Sequence, residues 1–363
     1  MEKKGIMLPA ACLAVVLLAI TASCANYAGG GEEQLQTQAT IVDTCERCNG
    51  AYYWKTVFKL DDEERQFLQA HSVDRLYVRM FDVVENTLIE DDSTRTERII
   101  PNATIIFKDT MPVSHVVPTV YITVDALRSM GEEKQVWAQK ILTRVMNMCS
   151  YNGIPGVEEI QVDCDWTETT QQDFFDLCKA MKGELLQGEK TKDIALSSTI
   201  RLHQLRQTPP PVDCGVLMVY NTGSFLSPES KNSILSYEDV KPYLDALKSY
   251  ALKLDFAYPM YSWGLLYHDF HFEGLLRDTD ISSLQTKELD GNRYQVLQDG
   301  FIGGKKVCAG DVIRIEDSDY ATVIKVKRAI EEIVGENQSI ILYHLSSENI
   351  KRYKEEEIDE MYK

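Results

Sequence analysis

The sequence predicts an α/β protein, a (β/α)8 TIM-like barrel with a β-rich insertion after the seventh strand. Three observations lead to this fold class: eight strand-like runs, helical patterns between most of them, and a long glycine-containing β-rich stretch before the last strand. Alternating strands and helices favour a parallel sheet, and eight such strands over roughly 300 residues favour a closed barrel.

The candidate strands and helices alternate along the chain. The strand patterns cover residues 52–59, 75–82, 118–124, 158–165, 194–203, 214–221, 254–262 and 339–345. The helical patterns cover 61–70, 133–149, 170–182, 237–253, 320–334 and 347–362. In the second of these helices, one face carries Trp137, Ile141, Val145 and Met148, as expected for a helix that packs on a sheet.

Two connections fit the barrel less well, and one connection is long. Residues 83–114 contain no clear helix, and residues 206–213 are too few and too rich in proline to form one. The long connection, 268–318, contains "RYQVLQDGFIGGKKVCAGDVIRI", in which strand-like runs alternate with glycine turns. This pattern predicts an inserted loop subdomain on top of the barrel.

The first 23 residues are predicted to be a lipoprotein signal peptide. A charged start precedes an apolar run over 6–20, which is short for a membrane span, and small residues then precede Cys24. This arrangement resembles a bacterial lipoprotein signal, in which Cys24 becomes the lipidated first residue; an ordinary secretory signal with a chance cysteine is the alternative. Residues 24–50 are expected to be a flexible tether, and residues 51–363 the barrel.

Lipidation at Cys24 predicts a protein of the cell envelope, anchored to a bacterial membrane, with the outer membrane favoured. The chain has 38 basic and 56 acidic residues and a formal net charge of −18. Because so acidic a surface repels nucleic acid and anionic headgroups, we expect no nucleic-acid partner, and the acyl chain is the expected membrane contact.

No cofactor and no metal site are expected. Cys45 and Cys48 form a C-x-x-C pair, but no second such pair follows at metal-binding spacing, and a local disulfide or free thiols explain the pair as well. His268 and His271 lie at ligand spacing without a third partner, which favours a surface loop.

Three strands carry polar residues on one side. In "IQVDCD" these are Gln161, Asp163 and Asp165, and "VYITVD" and "LSSTIRLH" alternate in the same way. The simplest account places the apolar sides against the helices and the polar sides on the barrel axis. Buried carboxylates need charges or donors nearby, which Arg201 and His203 on the next strand are expected to supply. Barrel enzymes have their chemistry at this carboxyl end of the strands.

These segments carry a family resemblance that covers most of the chain from Tyr52. "IQVDCDWTE", "LSSTIRLHQ" and "LMVYNTG" together resemble predicted lipoproteins of Bacteroides-type gut bacteria that have a glycoside-hydrolase-like barrel. More distantly, the order resembles the chitinase-type (family 18) glycoside hydrolases, which carry Asp-x-Asp-x-Glu on the fourth strand and Met-x-Tyr-Asp on the sixth. Asp163 and Asp165 match the two aspartates. Met218 and Tyr220 match the sixth-strand pair, whose aspartate Asn221 replaces.

The sequence departs from that pattern at the catalytic glutamate. Thr167 stands where the family has its glutamate, and Glu168 follows one residue later. A shift of one residue along a regular strand reverses the direction of the side chain. Glu168 therefore reaches the cleft only if the strand ends or bends at Trp166–Thr167.

Hydrolysis of a glycosidic bond needs a proton donor and a second group at the oxocarbenium-like centre. The resemblance implies that Glu168 is the acid, that Asp165 orients it or stabilises a substrate-derived cation, and that Tyr220 contacts the substrate. Asp163 then tunes Asp165, because two close carboxylates do not both ionise easily. The alternative is that both aspartates are structural and held by Arg201.

Other residues are candidates for substrate binding: Arg201, His203, Asn221, Tyr261 and Trp263. The basic pair either binds an anionic sugar or only neutralises the aspartates, and the aromatic residues either stack on sugar rings or pack under the insertion. The function expected is therefore a membrane-anchored barrel protein that acts on a carbohydrate, with glycosidic hydrolysis as the specific activity. The alternative is a non-catalytic glycan-binding or structural envelope lipoprotein of the same fold.

Overall fold

The computed structural model of the chain describes residues 47–86, 98–154, 156–227, 230–276 and 279–363. These residues belong to one compact unit, Cys45–Lys363. The predicted signal peptide, the predicted lipidation site Cys24, Cys45 and most of the predicted tether lie outside the described residues. Among the described helices, none is both long and apolar enough to cross a membrane.

Eight parallel strands close into a barrel, which confirms the predicted fold class. They are β1 (Asn49–Tyr53), β2 (Val73–Glu85), β3 (His115–Ile122), β4 (Glu159–Asp163), β5 (Ala195–Arg201), β6 (Cys214–Met218), β7 (Leu254–Pro259) and β8 (Ile340–Tyr343). Each strand pairs with the next one along the chain, and β1 pairs with both β2 and β8, which closes the ring. A further strand, Ile99–Asn102, lies antiparallel to the end of β2.

Helices surround most of the barrel. The elements are α1 (Asp62–Ala70), α2 (Val124–Ser129), α3 (Lys134–Tyr151), α4 (Gln171–Gln187), α5 (Tyr237–Val240), α6 (Leu244–Lys248), α7 (Tyr320–Val334), α8 (Ser347–Ile350) and α9 (Glu355–Tyr362), with 3-10 turns at Leu202–Arg206 and Lys241–Tyr243. Trp137, Ile141 and Val145 are buried on the inner face of α3, as their spacing predicts. Burial of such apolar area is the main favourable term that holds the helices on the barrel.

Two helices are shorter in the structure than the sequence pattern suggests. The pattern over 237–253 is divided into α5, a 3-10 turn that contains Pro242, and α6, because proline has no N–H to continue the helical hydrogen bonds. The pattern over 347–362 is divided into α8 and α9. The loop between β5 and β6 holds only the 3-10 turn Leu202–Arg206 and irregular chain, in line with its proline-rich sequence.

A second, five-stranded antiparallel sheet lies between β7 and α7. Its spatial order is His271–Leu276, Ser262–His268, Val312–Asp317, Arg293–Val296 and Thr286–Asp290. The hairpin Gly300–Ile302 and Lys305–Val307 accompanies it. The sheet starts at Ser262, before the residue 268 at which the sequence pattern places the insertion. It has a small core of its own: Leu266, Leu276, Val296, Ile302, Val307 and Ile313. We call residues 262–317 the inserted sheet.

The barrel interior contains polar side chains from the amino ends of its strands to their carboxyl ends. Near the amino ends of the strands, Arg75 Nη1 lies 3.8 Å from Asp255 Oδ2, and the half-buried Glu159 accepts a hydrogen bond from Ser197. One layer higher, the Tyr52 hydroxyl donates to Gln161 Oε1 at 2.8 Å. Buried polar groups are tolerated when they are hydrogen-bonded, and this column of paired groups leads up to the carboxyl end of the barrel.

Candidate functional site

Asp163 is the last residue of β4, and its side chain points into the barrel. It is 4% exposed. Its Oδ1 accepts a hydrogen bond from Thr199 Oγ1 at 2.6 Å and from Arg201 Nη2 at 3.1 Å, both on the neighbouring strand β5. Burial raises the pKa of Asp163, and the positive charge of Arg201 opposes that rise.

Arg201 bridges two carboxylates. Its Nε donates to Asp165 Oδ1 at 2.6 Å while its Nη2 reaches Asp163, so one planar guanidinium contacts both acids through separate nitrogens. The Asp165 side chain is 50% exposed and that of Arg201 is 22% exposed. Burial lowers the pKa of Arg201, but the two carboxylates outweigh burial and raise it above its ordinary value. We call Asp163, Asp165 and Arg201 the charged triad.

The chain leaves strand geometry after Asp163. Trp166 is fully buried toward the helix layer, where its ring stacks on Phe174 of α4 with centroids 6.0 Å apart. The next residues form a turn, because Thr167 N–H bonds to Thr170 Oγ1 at 3.0 Å and Thr170 N–H to Thr167 O at 2.9 Å. Glu168 lies in this turn and is exposed. Within the part of the chain that the structure describes, no hydrogen bond or ion pair holds the Glu168 side chain.

His203 lies outside the charged triad. β5 ends at Arg201, and His203 falls in the 3-10 turn Leu202–Arg206, where it is exposed. Partial burial and the nearby Arg201 charge lower the pKa of His203. Among the described contacts of Asp163 and Asp165, the ion pairs come from Arg201 alone.

Gln204 is a residue that sequence reasoning missed. It is fully buried. Its Oε1 accepts a hydrogen bond from Arg201 N–H at 2.7 Å, and its Nε2 donates to Trp166 O at 2.9 Å. Gln204 thus ties the end of β5 to the end of β4 and fixes the spacing between Arg201 and the aspartates. A glutamine in "RLHQ" carries no pattern that could have revealed this.

Five aromatic residues form a connected group at the carboxyl end of the barrel, which we call the aromatic wall: Trp54, Tyr220, Tyr261, Trp263 and Tyr343. The rings of Tyr220 and Tyr343 stack with centroids 4.7 Å apart. Tyr343 also contacts Trp54 at 5.9 Å and Tyr261 at 5.7 Å, and Tyr261 contacts Trp263 at 5.4 Å. Trp54, Trp263 and Tyr343 are partly exposed, whereas Tyr220 and Tyr261 are buried.

The aromatic wall lies beside the charged triad. Arg201 and Asp163 are among the charges that act on the Tyr343 hydroxyl, and burial is the main reason that its pKa is raised. Burial also raises the pKa of Tyr220, again with Arg201 among the nearby charges. On the other side of the triad, burial and the Asp165 and Asp163 charges raise the pKa of Tyr121 to about 12.

The sixth-strand residues lie at the same end. The Tyr220 hydroxyl donates to Met218 Sδ at 2.9 Å. Asn221 is exposed and has a left-handed backbone (φ 53°), and its Oδ1 accepts a hydrogen bond from the Tyr261 hydroxyl at 2.7 Å. Asparagine is one of the few residues other than glycine that adopts this conformation readily. Asn221 therefore orients Tyr261 in the wall.

A second arginine–aspartate pair borders the wall. Arg79 Nε donates to Asp82 Oδ1 at 2.7 Å, and the Arg79 guanidinium lies 5.5 Å from the centre of the Trp54 ring. Among the described residues, no group of three or more His, Cys, Asp or Glu side chains is placed to bind a metal ion.

Comparisons with known proteins support the fold and leave the family open. No protein-family model matches the sequence, and no curated protein matches it. The chain is similar to the spore cortex-lytic enzyme SleL of Bacillus cereus, with a TM-score of 0.50, 13% identity and coverage of 88% of this chain and 75% of that one.

Two further similar structures are chitinases. A chitinase from Chromobacterium violaceum has a TM-score of 0.49 and 13% identity, over 83% of this chain and 94% of its own. A variant of the GH18 chitinase from Cycas revoluta, solved with (GlcNAc)4, has a TM-score of 0.49 and 10% identity, over 86% and 99%. At these identities the likeness concerns the barrel fold.

The charged triad predicts that Arg201→Met destabilises the fold in a pH-dependent way. Removing the guanidinium leaves Asp163 buried without a charge partner, which costs about 3 kcal/mol near neutral pH. Burial already raises the pKa of Asp163, and a proton on this carboxyl removes the charge that Arg201 would otherwise neutralise. The loss of stability caused by Arg201→Met should therefore shrink as pH falls toward the ordinary carboxyl pKa. Urea unfolding at about pH 7 and about pH 4 measures both values.

Two further variants control this experiment. Arg65→Met removes a partly exposed ion pair with Asp109 and should cost less than about 1 kcal/mol at either pH. Asp163→Asn combined with Arg201→Met removes the unpaired charge and should recover part of the stability. An equal loss at both pH values, with no recovery in the double variant, would contradict the assignment of Asp163 as the charge that Arg201 neutralises.

Proposed function

We propose that this protein binds carbohydrate at the carboxyl end of its barrel. The observation that carries the proposal is the aromatic wall next to the charged triad, with Trp54, Trp263 and Tyr343 partly exposed. Sugars present apolar C–H faces and polar hydroxyl groups. Rings with an apolar face and a polar edge, close to a half-exposed carboxylate and a guanidinium, are complementary to both.

Binding fits the arrangement of the acids better than hydrolysis does. Hydrolysis needs a proton donor and a second carboxyl group that flank the scissile bond. Asp163 and Asp165 share one guanidinium, and Glu168 lies in an exposed turn rather than on the strand. The groups that would have to give and receive a proton are therefore either paired or outside the strand.

Glycosidic hydrolysis is the second candidate function, and the exposure of two carboxyl groups favours it. Asp165 is half-exposed, and Glu168 follows it by three residues in a turn at the same end of the barrel. In that case Glu168 is the proton donor, Asp165 orients it, Asp163 tunes Asp165, and Tyr220 contacts the sugar. The similarity of the barrel to the spore cortex-lytic enzyme SleL agrees with either function.

Binding predicts that removal of one ring from the aromatic wall weakens affinity for a glycan. Wild-type protein tested against a broad oligosaccharide panel should bind at least one series, and Tyr343→Ala should weaken that binding about tenfold or more. The matched control is Tyr151→Ala, which removes an exposed tyrosine on α3. Calorimetry gives both affinities; a wild type that binds nothing in the panel contradicts the proposal and favours a structural envelope role.

Hydrolysis predicts that Glu168→Gln abolishes sugar release while binding persists. Chromatography of panel oligosaccharides after incubation detects the products, and Glu189→Gln, an exposed acid beyond the end of α4, is the control. If wild type and both variants release nothing but still bind, the second candidate is wrong and the first stands.

We further propose that the protein is held at a bacterial membrane by lipid on Cys24. The support is the sequence pattern: a short charged start, an apolar run and small residues directly before Cys24. A single acyl chain holds a protein only reversibly, so stable attachment takes more than one chain. The net charge of −18 opposes any additional attraction to anionic headgroups.

The anchor predicts that Cys24→Ala moves the protein from the membrane fraction to the soluble fraction. Cys12→Ala, in the apolar run of the same segment, should leave the distribution unchanged. Fractionation of cells that express each variant, followed by immunoblotting, measures the distribution. Equal membrane retention of wild type and Cys24→Ala would show that Cys24 is not the anchor.

A further inference from the structure

The inserted sheet contains a fully buried ion pair. Arg314 and Glu316 both have 0% side-chain exposure, and Arg314 Nε lies 2.7 Å from Glu316 Oε1. The contact is one of charge rather than a well-aligned hydrogen bond, since both atoms lack a hydrogen-bond partner among the described residues. Arg314 also donates to Ser227 O at 2.7 Å and lies 5.2 Å from the Tyr267 ring centre.

The second oxygen of Glu316 reaches the aromatic wall. Glu316 Oε2 accepts a hydrogen bond from Trp263 Nε1 at 2.8 Å and another from the Ser233 hydroxyl. The indole N–H groups of Trp137 and Trp166, by contrast, are buried without a partner in the part of the chain that the structure describes. The Trp263 indole is thus held at its N–H edge by a carboxylate, and the residue is partly exposed.

The hydrogen bonds of Glu316 join the inserted sheet to a neighbouring loop and to the aromatic wall. Trp263 belongs to the first strand of the inserted sheet and Glu316 to the strand paired with it. Ser233 lies in the connection between β6 and α5, so Glu316 joins that loop, the inserted sheet and the wall. If the buried Glu316 carboxylate lost one of these partners, its desolvation would no longer be offset. That free-energy cost keeps Ser233, Glu316 and Trp263 in one arrangement.

The described ring contact of Trp263 is with Tyr261, and Trp263 reaches the charged triad only through other rings of the wall. It contacts Tyr261, which in turn contacts Tyr343 and Tyr220, and these two rings lie beside Arg201. A sugar unit stacked on Trp263 would therefore be separated from the unit beside the triad. The geometry matches an oligosaccharide rather than a single sugar.

We infer that Glu316, held in place by Arg314, is a positioning residue that sets the Trp263 indole as an outer stacking surface for a sugar unit distant from Arg201. This inference rests on the proposed carbohydrate binding. It names the ligand class as an oligosaccharide long enough to extend from the triad to Trp263, and it assigns a role in length selection to the inserted sheet.

The positioning role is tested first in the free protein. The chain has four tryptophans, so labelling with nitrogen-15 tryptophan gives four indole signals, and Trp263→Phe identifies that of Trp263 by its loss. Glu316→Gln should move the Trp263 signal upfield and speed its hydrogen exchange. Asp311→Asn is the matched control, because Asp311 is an equally buried acid next to the same strand that pairs with His268 instead.

The length selection is tested with homo-oligosaccharides of glucose, N-acetylglucosamine, glucosamine, mannose and xylose, from dimer to hexamer. In the series that binds, Glu316→Gln and Trp263→Ala should each weaken the hexamer about tenfold and leave the shortest bound oligomer unchanged. Combining the two should add nothing further, because both act through one contact. Asp311→Asn should keep the wild-type length dependence.

The outcomes separate the inference from the proposed function. If the Trp263 signal is the same in wild type and Glu316→Gln, or moves equally in Asp311→Asn, the positioning role is wrong whatever the protein binds. A uniform loss of affinity at all lengths also overturns it. A wild type that binds no series overturns the carbohydrate proposal. If Glu316→Gln does not fold, Glu316→Gln with Arg314→Gln removes both buried charges and serves in its place.

Discussion

The bridge that Arg201 makes between Asp163 and Asp165 is the interaction on which the rest of the site depends. An unpaired carboxylate at the position of Asp163 would be costly, because it is 4% exposed at the axis of a closed barrel. One guanidinium with nitrogens 3.1 Å and 2.6 Å from the two acids offsets that cost. Gln204 fixes the strand ends that carry the bridge, and the aromatic wall packs beside it.

The closed ring explains why these groups meet. Parallel strands in a barrel bring their carboxyl ends to one rim, so residues far apart in sequence, such as Trp54 after β1 and Tyr343 at the end of β8, come into contact. The inserted sheet adds Trp263 to that rim through the chain that leaves β7. A change in any one of these strand ends therefore affects the whole wall.

Strand alternation predicted the barrel and the inward direction of Asp163, because a period of two residues is a strong signal where one side is buried. It also predicted Arg201 as the charge partner. The alternation could not extend to His203, since β5 ends at Arg201 and the chain turns into a 3-10 helix. It could not place Glu168 for the same reason: β4 ends at Asp163, and a turn follows Trp166.

The residues that sequence reasoning missed have no pattern of their own. Trp54 follows the strand in "AYYWK" and Tyr343 ends the strand in "SIILYHL", where aromatic residues are equally suited to the core. Gln204 and Glu316 act through single contacts across long separations in sequence, which only the folded structure reveals. The proline that divides α5 from α6 could have been read from the sequence, because Pro242 lies inside the helical pattern.

The most direct measurement for the central claim is a crystal structure of the protein with the oligosaccharide that it binds most tightly. The account predicts sugar rings stacked on Tyr343 and Trp263, with the Arg201 guanidinium still between Asp163 and Asp165. A sugar bound away from the carboxyl end of the barrel, or an Arg201 that has left both aspartates to pair with the ligand, would contradict it.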